Sequence, residues 1–126
     1  METAVMKKRA FGFLLSEASG MRSRETVTIA SGEGELEAGT VLGKVTGTGK
    51  YVASPDAVVV GKEGAETAAA ILAYGVNATD ADVDVPSIDR DAEVKAAMLL
   101  FHASVDDQPK TDAKIAQLEA AGIRVR

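Results

Sequence analysis

The glycine-rich stretch at residues 41–52, VLGKVTGTGKYV, constrains the fold of this chain more than any other. Residues that suit a half-buried pleated surface, such as Val41, Val45 and Val52, stand on both sides of a Gly-Thr-Gly break. Glycine readily adopts the positive φ angles that tight turns need. The stretch therefore predicts a β-hairpin with its turn at Gly47 and Gly49.

The same stretch also invites comparison with a phosphate-binding loop, because it contains GTGK. That motif needs a glycine five positions before its second glycine and a Ser or Thr after its lysine. Here Lys44 stands at the first place and Tyr51 follows Lys50. We therefore predict no nucleotide-binding activity.

Composition limits both the core and the partners of the chain. With 46% hydrophobic but only 4% aromatic residues among 126, the core of one domain must be built mainly from Val, Ile, Leu and Ala. A net charge of −5 argues against nucleic acid as a partner, because that binding relies on clustered positive charge. The sequence contains no cysteine, which excludes disulfides and thiolate metal sites. The apolar run at residues 10–15 is too short for a signal sequence and no window suits a membrane span, so we expect no membrane association.

The remaining patterns predict mostly strands and one helix. Val27 and Ile29 alternate with threonines, as in a strand with one buried face, whereas TAAAILAYGVNA at residues 67–78 fits a strand or a short helix. Near the end, Thr111, Ile115, Leu118 and Gly122 follow helical spacing. Pro109 suits the first turn of this helix, and Gln108 or Thr111 is expected near its N-terminal cap. Gly122 is placed to end the helix, and IRVR at residues 123–126 predicts a last short strand. The predicted fold is a β-rich α+β fold: a small single-domain β-barrel or sandwich with one short C-terminal helix.

The first 24 residues differ from the rest in composition. They combine basic residues with apolar residues that show no clear period, and their glycines lose entropy on ordering. We therefore expect residues 1–24 to form a flexible N-terminal arm that is mobile in the free protein, and residues 25–126 to form the β-rich domain. A tail packed on its own domain stays open as the alternative for residues 1–24.

The side chains that could act in catalysis or carry a cofactor do not form a recognisable site in the sequence. His102 is the only histidine and follows an apolar run, so a role as a general base is not expected. The rhythm of GELEAGTVLGKV resembles a biotinyl or lipoyl carrier hairpin, with Lys44 or Lys50 as the residue that would be modified. Neither Met-Lys-Met nor Asp-Lys-Ala, the usual surroundings of that lysine, occurs in the chain. A carrier or small binding module stays open as the alternative function.

The acidic run around residue 82 resembles part of a calcium-binding loop. Asp80, Asp82 and Asp84 match its first, third and fifth places, but Val85 stands where the loop needs glycine and Asp91 where it needs glutamate. A solvated acidic loop is the expected structure, and whether these carboxylates bind a cation stays open.

Three stretches together resemble a known family. These are FLLSEASGMRSRETVTI at residues 13–29, LEAGTVLGKVTGTGKYV at 36–52 and KIAQLEAAGIRVR at 114–126. In order and spacing they are similar to the phage head decoration proteins of the lambda head protein D type. The resemblance implies a non-enzymatic, cofactor-free protein that is soluble in the host cytoplasm before it joins the virion.

The resemblance also implies partners and a site. Proteins of this type form homotrimers on the outer face of the expanded phage capsid, at its local threefold positions, where they clamp the major capsid protein against the pressure of packaged DNA. Their N-terminal arms order on the shell. The arm residues expected to bind the capsid here are Phe11, Phe13, Leu14, Leu15, Arg22 and Arg24.

Overall fold

A computed structural model describes residues 9–20 and 22–126. In this part of the chain the strands are β1 (Leu14–Glu17), β2 (Arg24–Ile29), β3 (Gly34–Leu36), β4 (Val41–Lys44), β5 (Tyr51–Ala53), β6 (Ala68–Leu72), β7 (Val76–Ala78), β8 (Val83–Ile88), β9 (Ala92–Val94) and β10 (Ile123–Val125). The helix α1 spans Gln108–Ala120, and a short 3₁₀ helix spans Ala96–Met98.

The centre of the fold is a closed five-stranded barrel in the order β2-β5-β4-β6-β8. The longest pairing is antiparallel, between β2 and β8, and runs from Arg24 opposite Ile88 to Ile29 opposite Val83. A single parallel pair, Ile29 with Tyr51, joins β2 to β5 and closes the barrel. The barrel, the β-rich single domain and the one C-terminal helix confirm the predicted fold class.

The hairpin predicted at residues 41–52 is present. Strands β4 and β5 pair antiparallel, with Leu42 opposite Ala53 and Lys44 opposite Tyr51. Gly49 has a φ of +73° in the connecting turn, which explains the need for glycine there. The ambiguous residues 67–78 form two strands, β6 and β7, because β6 lies within the barrel between β4 and β8.

Two smaller sheets flank the barrel. In the first, β9 lies between β1, which runs antiparallel to it, and β10, which runs parallel. In the second, β3 pairs antiparallel with β7. The last strand predicted from IRVR is therefore β10, with Ile123 buried and Arg124 exposed, as the alternation indicated.

The buried core of the described residues is aliphatic except for one aromatic side chain, Phe13. One cluster, including Val27, Ile29, Leu42 and Leu72, lies among the barrel strands. The larger cluster joins the barrel to α1 and to the β1-β9-β10 sheet. It contains Phe13, Val41, Ala68, Ile71, Ile88, Ala92, Val94, Leu99, Leu118 and Ile123.

The N-cap of helix α1 lies one residue before Gln108, the earlier of the two residues expected near the cap. Asp107 is the N-cap, and its carboxylate accepts a hydrogen bond of 3.0 Å from the backbone N–H of Lys110. Gln108, expected near the cap, is the first residue of the helix, directly after Asp107, and donates its side-chain amide to Asp112. Pro109 lies in the first turn as predicted, and Gly122, with φ of +94°, follows the end of the helix.

The segment expected to be an arm is partly built into the domain. Phe13 is 1% exposed in the larger core cluster, β1 pairs with β9, and Arg24 already belongs to the barrel strand β2. Pairing of β1 with β9 and the burial of Phe13 thus tie part of this segment to the domain although it has no periodic pattern of its own, and the division at residue 24 stays a prediction. Residues 1–8 and Met21, also part of the expected arm, lie outside the described residues, and the mobility of the segment in solution stays a prediction.

Candidate functional site

The predicted arm residues that the structure describes occupy two environments. Phe11 contacts the ring of Tyr74 edge-on, with centroids 5.1 Å apart, and Arg24 lies over Phe11 with its Cζ 4.2 Å from the ring centroid. Arg24 also forms a two-pronged ion pair with Glu17, at 3.0 Å and 2.6 Å. This bonding holds the pKa of the Glu17 carboxyl below its ordinary value. Phe11 and Arg24 therefore connect the segment just before β1 to the first residue of β2.

The other arm residues differ in their access to a partner. Phe13 is in the core, and Leu14 packs partly buried against that core. Leu15 is 48% exposed on β1, and Arg22 makes only a long ion pair of 3.7 Å with Asp91, with both side chains more than half exposed. Of the six predicted residues, Leu15 and Arg22 are the two that are exposed in this structure.

A second exposed apolar feature lies on the loop at residues 54–67, between β5 and β6. Val58, Val59 and Val60 are 62%, 41% and 94% exposed. We call these three valines the valine tip and the whole segment the tip loop. Three adjacent exposed valines are unusual on a small domain, and exposed apolar clusters of this kind often mark binding surfaces.

The returning part of the tip loop lies so close to the barrel that two positions, Gly43 and Gly64, have no room for a side chain. A Cβ atom on Gly43 would overlap the carbonyl oxygen of Ala65, and one on Gly64 would overlap the hydroxyl of Thr46. The backbone N–H of Thr46 also donates to the carbonyl of Glu63, at 2.9 Å. Gly43 is thus required because the loop lies directly on β4, and the GTGK segment opens strand β5, not a helix.

The acidic run does not bring its three carboxylates together on a common centre. Asp82 accepts from the Lys50 ammonium at 2.7 Å and from the Ser31 N–H at 2.8 Å, and these bonds lower the pKa of its carboxyl. Asp84 accepts from the Thr28 hydroxyl at 2.6 Å, and Asp80 is exposed. Within residues 9–20 and 22–126, no group of three or more His, Cys, Asp or Glu side chains is placed to hold a metal ion.

The lone histidine takes part in a loop contact. His102 Nδ1 accepts from the backbone N–H of Ser104 at 3.0 Å and lies 2.8 Å from the Ser104 hydroxyl. The same hydroxyl accepts from the backbone N–H of Asp56, at 2.8 Å. The imidazole thus helps to join the segment before α1 to the first leg of the tip loop.

Next to this contact lies an open cleft of about 310 Å³. Its walls combine three glutamates with an apolar floor. The lining residues are Glu33, Glu35, Leu36, Glu37, Thr40, Ala53, Leu100, Phe101, His102 and Ala103. Both carboxylate oxygens of Glu33 already have partners within the chain. One pairs with the Lys62 ammonium at 2.9 Å, and the other accepts from the Ala53 N–H at 2.9 Å. No periodic pattern in the sequence indicates this cleft, because its walls come from three separate segments.

The described helices include none that is long and apolar enough to cross a membrane. A small barrel that displays apolar residues on a loop and a sheet edge is suited to docking against other proteins. A family model of the bacteriophage lambda head decoration protein D matches residues 3–123, nearly the whole chain. The chain therefore belongs to the lambda head decoration protein D family, which confirms the resemblance found in its sequence. A search of curated proteins gave no match.

Proposed function

We propose that this protein is a homotrimeric decoration protein that binds the outer face of the expanded phage capsid at local threefold positions and stabilises the shell against the pressure of packaged DNA. The observation that carries the proposal is the family match across residues 3–123. The major capsid protein is the proposed partner, and the outer surface of the virion is the proposed location.

The distribution of charge and apolar surface supports self-association through the tip loop. Each copy carries a net charge of −5, so two copies repel one another through their net charge. The valine tip is uncharged and exposed, and its burial against another copy removes apolar surface from water. A closed cyclic assembly would cover this surface on every copy at once.

The leading segment supports a separate contact with the shell. It supplies the basic residues Lys7, Lys8 and Arg9 and is followed by the exposed Leu15 on β1. An extended segment can add a strand to a sheet edge, where main-chain hydrogen bonds give affinity and side chains set the register. Ordering such a segment costs entropy, so one copy binds weakly, and three linked copies gain avidity.

Co-sedimentation with expanded, undecorated shells tests the proposal. Full-length protein is expected to pellet with expanded shells and to raise the temperature at which they break. A variant lacking residues 1–8 should keep the thermal unfolding of the full chain but pellet weakly, because the deletion leaves Phe13 and β1 in place. Failure of the full-length protein to bind expanded shells would contradict the proposed function.

Light scattering tests the trimer separately. The expected result is a mass of three 13.0 kDa copies at working concentration. A monomer that persists both in solution and on the shell would contradict the trimer while leaving shell binding intact.

A further inference from the structure

Helix α1 buries a lysine at the base of the tip loop. Lys114 is 1% exposed, yet its ammonium reaches three oxygen atoms. It donates to the hydroxyl of Ser54 at 2.9 Å, to the carbonyl of Pro55 at 2.6 Å, and to the carbonyl of Glu66. An ammonium group has three hydrogens to donate, so these acceptors match its full capacity.

The three acceptors lie on both legs of the tip loop. Ser54 and Pro55 begin the outgoing leg, directly after β5, and Glu66 lies on the returning leg, two residues before β6. The Ser54 hydroxyl crosses between the legs as well, since it donates to the carbonyl of Ala65 at 2.7 Å. The Lys114 ammonium therefore joins the two ends of a segment whose middle is exposed.

Neighbouring contacts hold the returning leg at the same level. The side-chain carbonyl of Gln117, one turn further along α1, accepts from the backbone N–H of Ala68 at 2.7 Å. On the opposite side, Ala65 is fully buried with Val45 and Val52. By contrast, residues 56–61 are all exposed. The loop thus has a fixed neck and a tip that lies outside the barrel.

Stability alone does not explain a lysine at this position. Burial disfavours the charged amine and lowers the pKa of Lys114, against the opposing effect of the charges on Asp56 and Glu66. The three oxygens that accept from Nζ are neutral, so none of these bonds is an ion pair. Replacing a buried charged group by an apolar residue of similar volume is often neutral or stabilising, so a gain in stability does not by itself account for this lysine.

We infer that Lys114 is a positioning residue that closes the neck of the tip loop and so holds the valine tip in one arrangement for contact with a second copy of the chain. The contact with a second copy rests on the proposed trimer. The closure of the neck does not, because it lies within one chain. Preorganising the loop lowers the ordering entropy lost on association.

The test compares Lys114→Met with Lys110→Met in the full-length protein. Lys110 lies on the same helix but is partly exposed, and its ammonium pairs with Asp106 at 3.0 Å. Amide hydrogen exchange is followed at Lys62, Ala65 and Thr67, whose N–H groups bond within the loop, and at barrel strand residues. Lys114→Met should speed exchange in the loop by about ten-fold or more while the barrel changes less than about two-fold. Lys110→Met should change neither.

A second readout measures self-association. Lys114→Met should raise the dissociation constant of the assembly at least about five-fold by sedimentation, whereas Lys110→Met should not, because flexibility of the free loop is paid for on binding. Unchanged loop exchange in Lys114→Met would overturn the inference. Equal acceleration of loop and barrel would also overturn it, because it would make Lys114 an ordinary core residue.

If Lys114→Met does not fold, Ser54→Ala provides the decisive variant. It removes one of the three acceptors and the bond across the neck to Ala65, and it leaves Lys114 bonded to Pro55 and Glu66. Its expected effect is a smaller acceleration confined to the loop, and acceleration throughout the barrel would refute the assignment. A monomeric wild-type protein would refute the proposed trimer, and the exchange data would still decide whether Lys114 closes the neck.

Discussion

Phe13→Ala separates a core role of the leading segment from a role in shell contact. Phe13 is 1% exposed and packs in the cluster that joins the barrel, α1 and the β1-β9-β10 sheet. Removing a buried phenylalanine loses its transfer free energy and leaves a cavity, a combined cost of about 3–5 kcal/mol. A domain of this size has a total stability of about 5–15 kcal/mol, so the loss is a large fraction of it.

Thermal unfolding followed by circular dichroism measures this loss. For a chain of this length each kcal/mol corresponds to roughly 3–5 °C, so a loss of about 3–5 kcal/mol should lower the midpoint by about 9–25 °C. Leu15→Ala is the matched control two residues further along the same segment, because Leu15 lies 48% exposed on β1 and its truncation should cost less than about 1 kcal/mol. A Phe13→Ala protein that unfolds within about 1 kcal/mol of wild type would refute the core assignment and return Phe13 to the list of shell contacts.

Three further outcomes follow from other parts of the fold. Glu17→Gln should lower the unfolding temperature at pH 7 but not near pH 2. Arg24 holds the pKa of the Glu17 carboxyl below its ordinary value, and the stability that the ion pair contributes is lost as the pH falls through that lowered pKa. An equal difference between variant and wild type at both pH values would contradict this. Gly43→Ala should destabilise the protein by about 1–3 kcal/mol in urea unfolding, since its Cβ would overlap the tip-loop backbone, whereas Gly47→Ala, with open space around its Cβ, should change little. Val60→Ser should leave the unfolding temperature within about 2 °C of wild type yet weaken self-association in sedimentation, because its side chain is 94% exposed; unchanged association would remove the valine tip from the interface.

Short-range patterns in the sequence were sufficient to predict several elements. The hairpin of β4 and β5, the inward positions of Val27 and Ile29, and the helix before Gly122 all depend on residues close together in the chain. Turn glycines, alternation and helix stop signals act within a few residues, so they can be recognised without knowing the fold. The family resemblance also came from such stretches, and the match over residues 3–123 confirms it.

The candidate site was predicted less completely than the fold. No pattern in the sequence indicates that both ends of the tip loop meet a lysine some fifty to sixty positions further along the chain. The acidic cleft is likewise assembled from segments around residues 35, 53 and 101. Sites of this kind depend on which loops the barrel brings together, and no local pattern records that.

Sequence alone determined that this chain folds as a β-rich domain with one C-terminal helix, because alternation, turn glycines and helix signals are local and agree with one another. The decoration family came from the resemblance of three stretches, not from these patterns. Tertiary structure alone decided the roles of Phe13 and Lys114. Phe13 stands in a stretch without period, yet pairing of β1 with β9 carries it into the core. Lys114 looks in the sequence like an ordinary helix lysine, but α1 packs over the neck of the tip loop, where burial and three oxygen acceptors 48 to 60 positions away make it a fixed contact. Burial depends on which distant segments meet, and that is settled only when the whole chain has folded.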